Sequence, residues 1–315
     1  MITLVTGAGG FIGSALCEKL ACDDYRVRGS FRLLNAQPMS YEGVETGAVS
    51  SQTNWTTTLR NVESVVHLAG RAHVTHGRSV RSIQAFRATN VEATENLARQ
   101  AGEMGVKRFI FLSSIKVNGE STRPGSPFLV TDQPKPLDPY GVSKYEAEQL
   151  LIEISDRTGM ELVIIRPPLV YGPGVKGNFD LLIRCLALGV PLPLASLTDN
   201  RRSFISIANL VNLVEVCLRK PEAANQIFLA SDGEDLSTAE LLRRLSVALE
   251  RPLRLIHIPK SMLMWSASIF QKRGIYERLC SSLQVDISKT KEMLDWERPQ
   301  SVDEGLRSIV TAARK

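Results

Sequence analysis

The chain has 315 residues, 43% of them hydrophobic and 23% charged, with a formal net charge of +5. These are the proportions of an ordinary globular protein with one large core or two modest domains, and neither low-complexity tracts nor a repeat of 20–50 residues is visible. The charge is dispersed, with no basic stripe and no aromatic interleaving, so it suits an anionic ligand and excludes the nucleic-acid binders from the expected classes.

No apolar run approaches the ~18 residues that cross a bilayer, and Met1 to Gly7 lacks the basic n-region of a signal peptide. The best apolar stretch, Met262 to Phe270, is short and carries two serines; it reads as a lid or packing helix, and membrane contact is not expected. Cys17, Cys22, Cys185, Cys217 and Cys280 show no C-x-x-C spacing, which predicts a reduced, cytoplasmic protein. His73 and His76 stand at a ligand-like interval, but no acidic or Cys/His cluster accompanies them, so no metal is expected.

The chain opens on a β-branched run, Ile2 to Val5, followed at once by Gly7-Ala8-Gly9-Gly10-Phe11-Ile12-Gly13. Phe11, Leu16 and Leu20 continue at helical intervals, so strand, glycine turn and helix follow one another. Glycines admit a pyrophosphate close to the backbone, and the free N–H groups of the helix start attract it. A second strand, Arg26 to Phe31, ends in Ser30-Phe31-Arg32, where NAD enzymes place an acid for the ribose diol. An arginine there suits a 2′-phosphate.

Ser64 to Gly70 reads as a buried parallel strand running into a small-residue turn, with His67 a packing residue at the strand end. A helical pattern covers 79–104 and carries Asn90. Phe109 to Leu112 is another buried strand, and Ser113 and Ser114 stand at its carboxyl end, where open α/β sheets keep their chemistry.

Next comes Pro139-Tyr140-Gly141-Val142-Ser143-Lys144, which sets a tyrosine and a lysine one helical turn apart on one face. A phenol with a pKa of about 10 needs roughly 4 kcal/mol of differential interaction to act near neutral pH. A lysine and one more positive centre in a dry site can supply it. The helix is expected to stop at Thr158-Gly159, and Leu162 to Ile165 is the next strand. Farther on, Arg201 and Arg202 offer guanidinium forks for phosphate, and capping boxes at Ser237–Glu240 and Ser301–Glu304 mark a helical C-terminal part.

The joint occurrence of Gly7/Gly10/Gly13 in G-x-x-G-x-x-G spacing, Ser114, Tyr140/Lys144 and Arg166-Pro167-Pro168-Leu169-Val170-Tyr171-Gly172-Pro173-Gly174 resembles the extended short-chain dehydrogenase/reductases that act on nucleotide sugars, over essentially the whole chain. The resemblance implies a doubly wound parallel sheet (a Rossmann fold) in residues 1–170 and 203–230. It implies a smaller, mostly helical nucleotide-sugar lobe in 171–202 and 231–315. Cofactor contacts are implied for Gly7, Gly10, Phe11, Ile12, Gly13, Arg32, Leu68, Ala69, Gly70, Asn90, Tyr140, Lys144 and Pro167. Ser114 would hydrogen-bond the reacting sugar oxygen, and Asn178, Arg202 and Arg278 would hold the nucleotide-sugar. The segment Val27 to Arg32 is similar to the V-R-G-x-x-R of NADP-dependent members, so NADP(H) is expected ahead of NAD(H).

Sugar-nucleotide dehydratases of this type carry Asp-Glu after the serine; Ile115 and Lys116 stand there instead, which argues against elimination chemistry. Ser113 to Glu120 and Leu283 to Thr290 look like the bacterial O-antigen 4-ketoreductases that form UDP-N-acetylquinovosamine. The leading expectation is therefore reduction of a UDP-4-keto-6-deoxy-N-acetylhexosamine, with Tyr140 as proton donor, Lys144 tuning it and Ser114 donating a hydrogen bond. The alternative is a UDP-hexose or UDP-N-acetylhexosamine 4-epimerase with tightly bound NAD. A cofactor-sensing protein without chemistry is a distant third, and a homodimer is left open.

Overall fold

The computed structural model describes residues 2–34, 38–72, 80–259, 261–263 and 279–313. Seven parallel strands form the main sheet: β1 (Ile2–Thr6), β2 (Arg26–Phe31), β3 (Glu42–Glu45), β4 (Val62–His67), β5 (Arg108–Leu112), β6 (Glu161–Arg166) and β9 (Gln226–Leu229). Their spatial order is β3-β2-β1-β4-β5-β6-β9. Covered on both faces, the central strands are buried along their length rather than on alternate residues, as β5 shows with all five residues buried. The order reverses between β1 and β4, so a crevice opens at their carboxyl ends, the position at which such sheets bind ligands.

Helices α1 (Phe11–Cys22) and α6 (Ile207–Arg219) cover one face, with Leu16, Leu20, Leu210 and Val214 buried against Val5, Ile110 and Ile165. Helices α3 (Ala93–Glu103) and α4 (Pro139–Thr158) cover the other, where Leu97, Ala101, Leu151 and Ile154 meet Leu4, Val65 and Phe109. A third cluster, including Phe179, Leu197, Leu241, Leu245 and Leu306, is the core of the smaller helical lobe. It draws on α5 (Asn178–Ala187) and α7 (Thr238–Ala248). The short strands β7 (Leu169–Tyr171) and β8 (Phe204–Ser206) pair in parallel, and Tyr171 donates its hydroxyl hydrogen to buried Asp232.

The helical pattern of 79–104 is realised as α2 (Val80–Phe86), a π-helical turn over Arg87–Glu92 and α3. The wide turn buries Asn90. Helix α4 is capped by Asp138, whose carboxylate accepts from Gly141 N at 2.7 Å, and starts on Pro139. It ends where expected, on Gly159 at φ 72°, a left-handed stop that suits glycine. The box at Ser301–Glu304 closes in both directions, Ser301 N donating to Glu304 at 2.8 Å and Glu304 N to Ser301 Oγ at 3.4 Å. At Ser237 only the N-cap half forms: Ser237 Oγ accepts from Glu240 N at 3.1 Å, while the Glu240 carboxylate meets Arg244.

Candidate active site

The turn after β1 is a cradle that only glycine can build. A Cβ on Gly13 would lie 2.1 Å from the carbonyl oxygen of Gly7, and one on Gly7, already at φ +71°, would lie 2.9 Å from Ala69 N. Both contacts are below any real Cβ approach, so the turn, α1 and the Leu68–Gly70 turn after β4 close on one another through bare backbone. Beside them lies a cavity of about 870 Å³ lined by Gly7 to Gly10, by Ser30 to Leu34 at the tip of β2, by Thr46 after β3, and by Leu68 to Gly70. Its length across the sheet's switch point and its glycine-lined wall at a helix N-terminus fit a dinucleotide.

Gly70, at the edge of the cavity, adjoins the lysine of α4. A Cβ on Gly70 would stand 3.6 Å from Lys144 Nζ and 3.3 Å from Asn90 Oδ1. Lys144 is buried, donates to the carbonyl of Leu112 at 2.8 Å, and sits 4.4 Å above the ring of Phe111. Burial lowers its pKa to about 8, against the opposing pull of Glu148. Burial also raises the Tyr140 phenol to about 12, with the hydrogen bond from Ser114 working in the other direction and Asp138 adding to the rise. The ammonium is thus spent on a strand-end carbonyl, and in this arrangement Ser114, rather than Lys144, favours the phenolate. Ser114 itself is fixed by the 3₁₀ turn Ile115–Val117, where its Oγ accepts from Lys116 N at 3.3 Å and Ile115 N bonds the carbonyl of Pro167 at 2.9 Å. Serine, tyrosine with lysine, and proline, from three separate stretches of chain, therefore meet at the ends of β5 and β6.

Asn90 is committed to protein partners. Its amide donates to the carbonyl of Arg71 and to Ser143 Oγ, each at 3.0 Å, and accepts from Arg71 N at 2.7 Å. It fastens the turn after β4 to α4. His67, buried and stacked on Phe111, lies between Thr6 Oγ1 at 2.7 Å and Thr94 Oγ1 at 2.8 Å. Burial lowers its pKa to about 3, with the Lys144 charge adding to the effect, so it stays neutral.

Two further residues were not singled out from the sequence. Glu148 is fully buried one turn beyond Lys144 and receives Arg166 Nε at 2.9 Å and Nη2 at 2.5 Å, as well as the hydroxyl of Ser113. Extending the Tyr–Lys spacing by one more helical turn would have reached it. Arg166, the last residue of β6, also donates to Asn118 Oδ1 at 3.0 Å.

The lobe side is less complete. Arg202 is half-buried and donates through Nη1 to the carbonyl of Ser281 at 3.0 Å and to its Oγ at 3.2 Å. Asn178 is the first residue of α5, and its side chain lies outside what is described. Arg278, His73, His76 and all but the start of the Met262–Phe270 stretch lie outside the described residues. Among the described residues no group of three or more His, Cys, Asp or Glu is placed to hold a metal ion, and no helix is long and apolar enough to cross a membrane.

Residues 3–230 match the model of the NAD dependent epimerase/dehydratase family. A protein of Vibrio cholerae named UDP-glucose 4-epimerase is 45% identical over 313 residues, covering 98% of this chain and 94% of its own length. Among solved structures, the UDP-glucose 4-epimerase of Thermotoga maritima with UDP-glucose is 24% identical at a TM-score of 0.79, covering 100% of this chain and 99% of that one. The UDP-glucuronic acid 4-epimerase of Bacillus cereus in complex with NAD is 21% identical at a TM-score of 0.80, covering 100% and 96%.

The bound NAD in this and other structures of the same fold overturns the expected preference for NADP(H). The physical reason is visible at the tip of β2. Arg32 lines the cavity but is exposed, where water screens its charge, and the neighbouring groups Ser30 Oγ and Thr46 Oγ1, 2.7 Å apart, are neutral. An arginine at that position in the sequence is not by itself a phosphate clamp. The chain belongs to the NAD dependent epimerase/dehydratase family.

Proposed function

We propose that this family member is a UDP-sugar 4-epimerase working with NAD(H), and that its chemistry is carried by Ser114, Tyr140 and Lys144. The observation that supports the reading is the Ser114–Tyr140 hydrogen bond with Lys144 set against Gly70 at the edge of the glycine-walled cavity, in a chain 45% identical to a protein named UDP-glucose 4-epimerase. A reductase forming UDP-N-acetylquinovosamine, the leading expectation from the sequence, has no comparable support: the similar proteins named here are 4-epimerases.

The glycine turn and the N-terminus of α1 would hold the pyrophosphate, and the cavity at the tips of β2 and β3 the adenosine end. Bound NAD supplies a two-electron acceptor and donor for C4 of the sugar. Tyr140 takes the proton of the C4 hydroxyl and returns it after the sugar has turned its other face, so no proton is gained or lost over a turnover. Ser114 shares the hydrogen bond to that oxygen and steadies the phenolate. Released from the Leu112 carbonyl, Lys144 would hold the nicotinamide ribose and lower the tyrosine with its charge. Pro167 would line the nicotinamide end of the site, and Arg202 would hold the diphosphate. The same reading assigns 1–170 and 203–230 to the dinucleotide domain and 171–202 with 231–315 to the sugar lobe.

The test is to incubate the purified protein and NAD with UDP-glucose, UDP-N-acetylglucosamine and UDP-glucuronate, and to resolve C4 epimers by chromatography. Conversion of at least one to its epimer is expected. No conversion of any, together with reduction of a UDP-4-keto sugar by reduced cofactor, would return the assignment to a reductase.

A further inference from the structure

Behind Tyr140 and Lys144, α4 carries a third polar residue on the same face. Side chains of a helix lean toward its N-terminus, so Glu148 covers the turn that bears Lys144. Its carboxylate has no access to solvent and is held from two sides, by both guanidinium contacts of Arg166 on β6 and by the hydroxyl of Ser113, just after β5. Arg166 is anchored in turn by Asn118, which donates to the carbonyl of Leu129 at 3.0 Å. Ser113 and Asn118 bracket the turn that carries Ser114.

A buried ion pair is weak evidence of added stability, because desolvating both partners cancels much of the attraction. Three charges, not two, share this pocket. Lys144 and Arg166 are cations, both buried, and Glu148 is the carboxylate between their elements. The other groups around Lys144 are the neutral His67 on β4, the Leu112 carbonyl on β5 and the phenol of Tyr140 on its own helix.

We propose that Glu148, clamped by Arg166, is a positioning residue: it is the counter-charge of Lys144 and the anchor of the Ser113–Ser114 turn. The inference rests on the proposed role of Lys144, and it goes beyond it by naming what keeps that lysine charged in a dry site. The pull of Glu148 on Lys144 opposes the larger effect of burial, which already brings the lysine to about 8. Without the carboxylate, Lys144 would lose its proton at lower pH.

The test compares the wild type with Glu148→Gln by urea unfolding from pH 6.5 to pH 10.5, with no ligand added. A lysine whose folded pKa lies below its unfolded value makes the protein more stable as pH rises between the two. In Glu148→Gln that rise begins at lower pH, so the stability gap between the proteins narrows as pH increases. The basic limb of the pH–turnover profile moves to lower pH by the same interval. Glu148→Asp, which keeps the charge, restores the limb.

If Glu148→Gln does not fold, the double variant Glu148→Gln/Arg166→Met, which leaves no lone buried charge, is compared with Arg166→Met, so that the two proteins differ only in the carboxylate and the expected direction is the same. A gap that is constant with pH, or a limb that stays at the wild-type position, would overturn the proposal and leave Glu148 a packing residue. The unfolding comparison uses no sugar, so a failure to turn over UDP-sugars counts against the functional reading alone.

Discussion

The two walls of the site are built differently. On the cofactor side, backbone closes on backbone: Gly7 and Gly13 allow contacts that no side chain would permit, and Asn90, His67 and Glu148 have every polar atom committed to neighbouring elements. On the side proposed for the sugar, Arg202 is half-buried and bonded to Ser281, a residue 79 positions away, and α5 opens on Gly177, which provides no side-chain cap. The first wall is a rigid frame common to any dinucleotide chemistry at a sheet switch point. The second is assembled from distant segments, and substrate choice can change there without disturbing the frame.

That contrast predicts where substitutions hurt. The largest effect is expected of Tyr140→Phe, which removes the proton carrier and leaves the cavity intact. Turnover should fall by a factor of roughly 10² or more while NAD affinity, measured by calorimetry, stays within about threefold. Next is Gly13→Ala. Its methyl would meet the Gly7 carbonyl oxygen at 2.1 Å, backbone that cannot swing aside. A loss of about 1–3 kcal/mol in unfolding free energy and at least tenfold weaker NAD binding are expected. Wild-type NAD affinity in that variant would show the frame to be softer than described.

Acid should probe the same wall. His67 has a folded pKa of about 3, below its ordinary value, so the stability it allows is fully present above pH 6.5 and is lost as pH falls toward 3. At about 1.4 kcal/mol per pH unit, the wild type should lose up to about 2 kcal/mol between pH 6.5 and pH 5. His67→Gln should lose less over that interval, and equal losses would assign the acid sensitivity to other groups.

The smallest effect belongs to the other wall. Arg202→Ala should raise KM for a UDP-sugar about tenfold with kcat little changed, because the diphosphate is held alike in ground and transition states. A drop confined to kcat would mean that Arg202 does not hold the diphosphate.

The sequence was most readable where one physical constraint dominates. Buried parallel strands favour apolar runs, so β5 and β6 stand out, and Gly159 marks the end of α4 because a left-handed residue is needed there. The glycine turn and the one-turn spacing of Tyr140 and Lys144 are local patterns and were equally plain. Glu148 and Arg166 are separated by 18 residues and meet only after β6 has been laid beside β5, so neither residue type nor local spacing announces their pairing. Arg32 misled for a related reason. Its charge is legible in the sequence, but its exposure to water, which removes most of the discrimination, is a property of the folded strand tip.

The most direct measurement follows a deuterium label at C4 of the sugar. UDP-glucose, UDP-N-acetylglucosamine and UDP-glucuronate carrying deuterium there would be incubated with the purified protein and NAD, and followed by proton NMR. An epimerase takes the label and gives it back to the same carbon on the opposite face. The account predicts that the C4 epimer of at least one sugar appears with deuterium retained and with no net formation of NADH. An absence of epimer from all three sugars, or epimer whose C4 has exchanged its deuterium for solvent hydrogen, would contradict it.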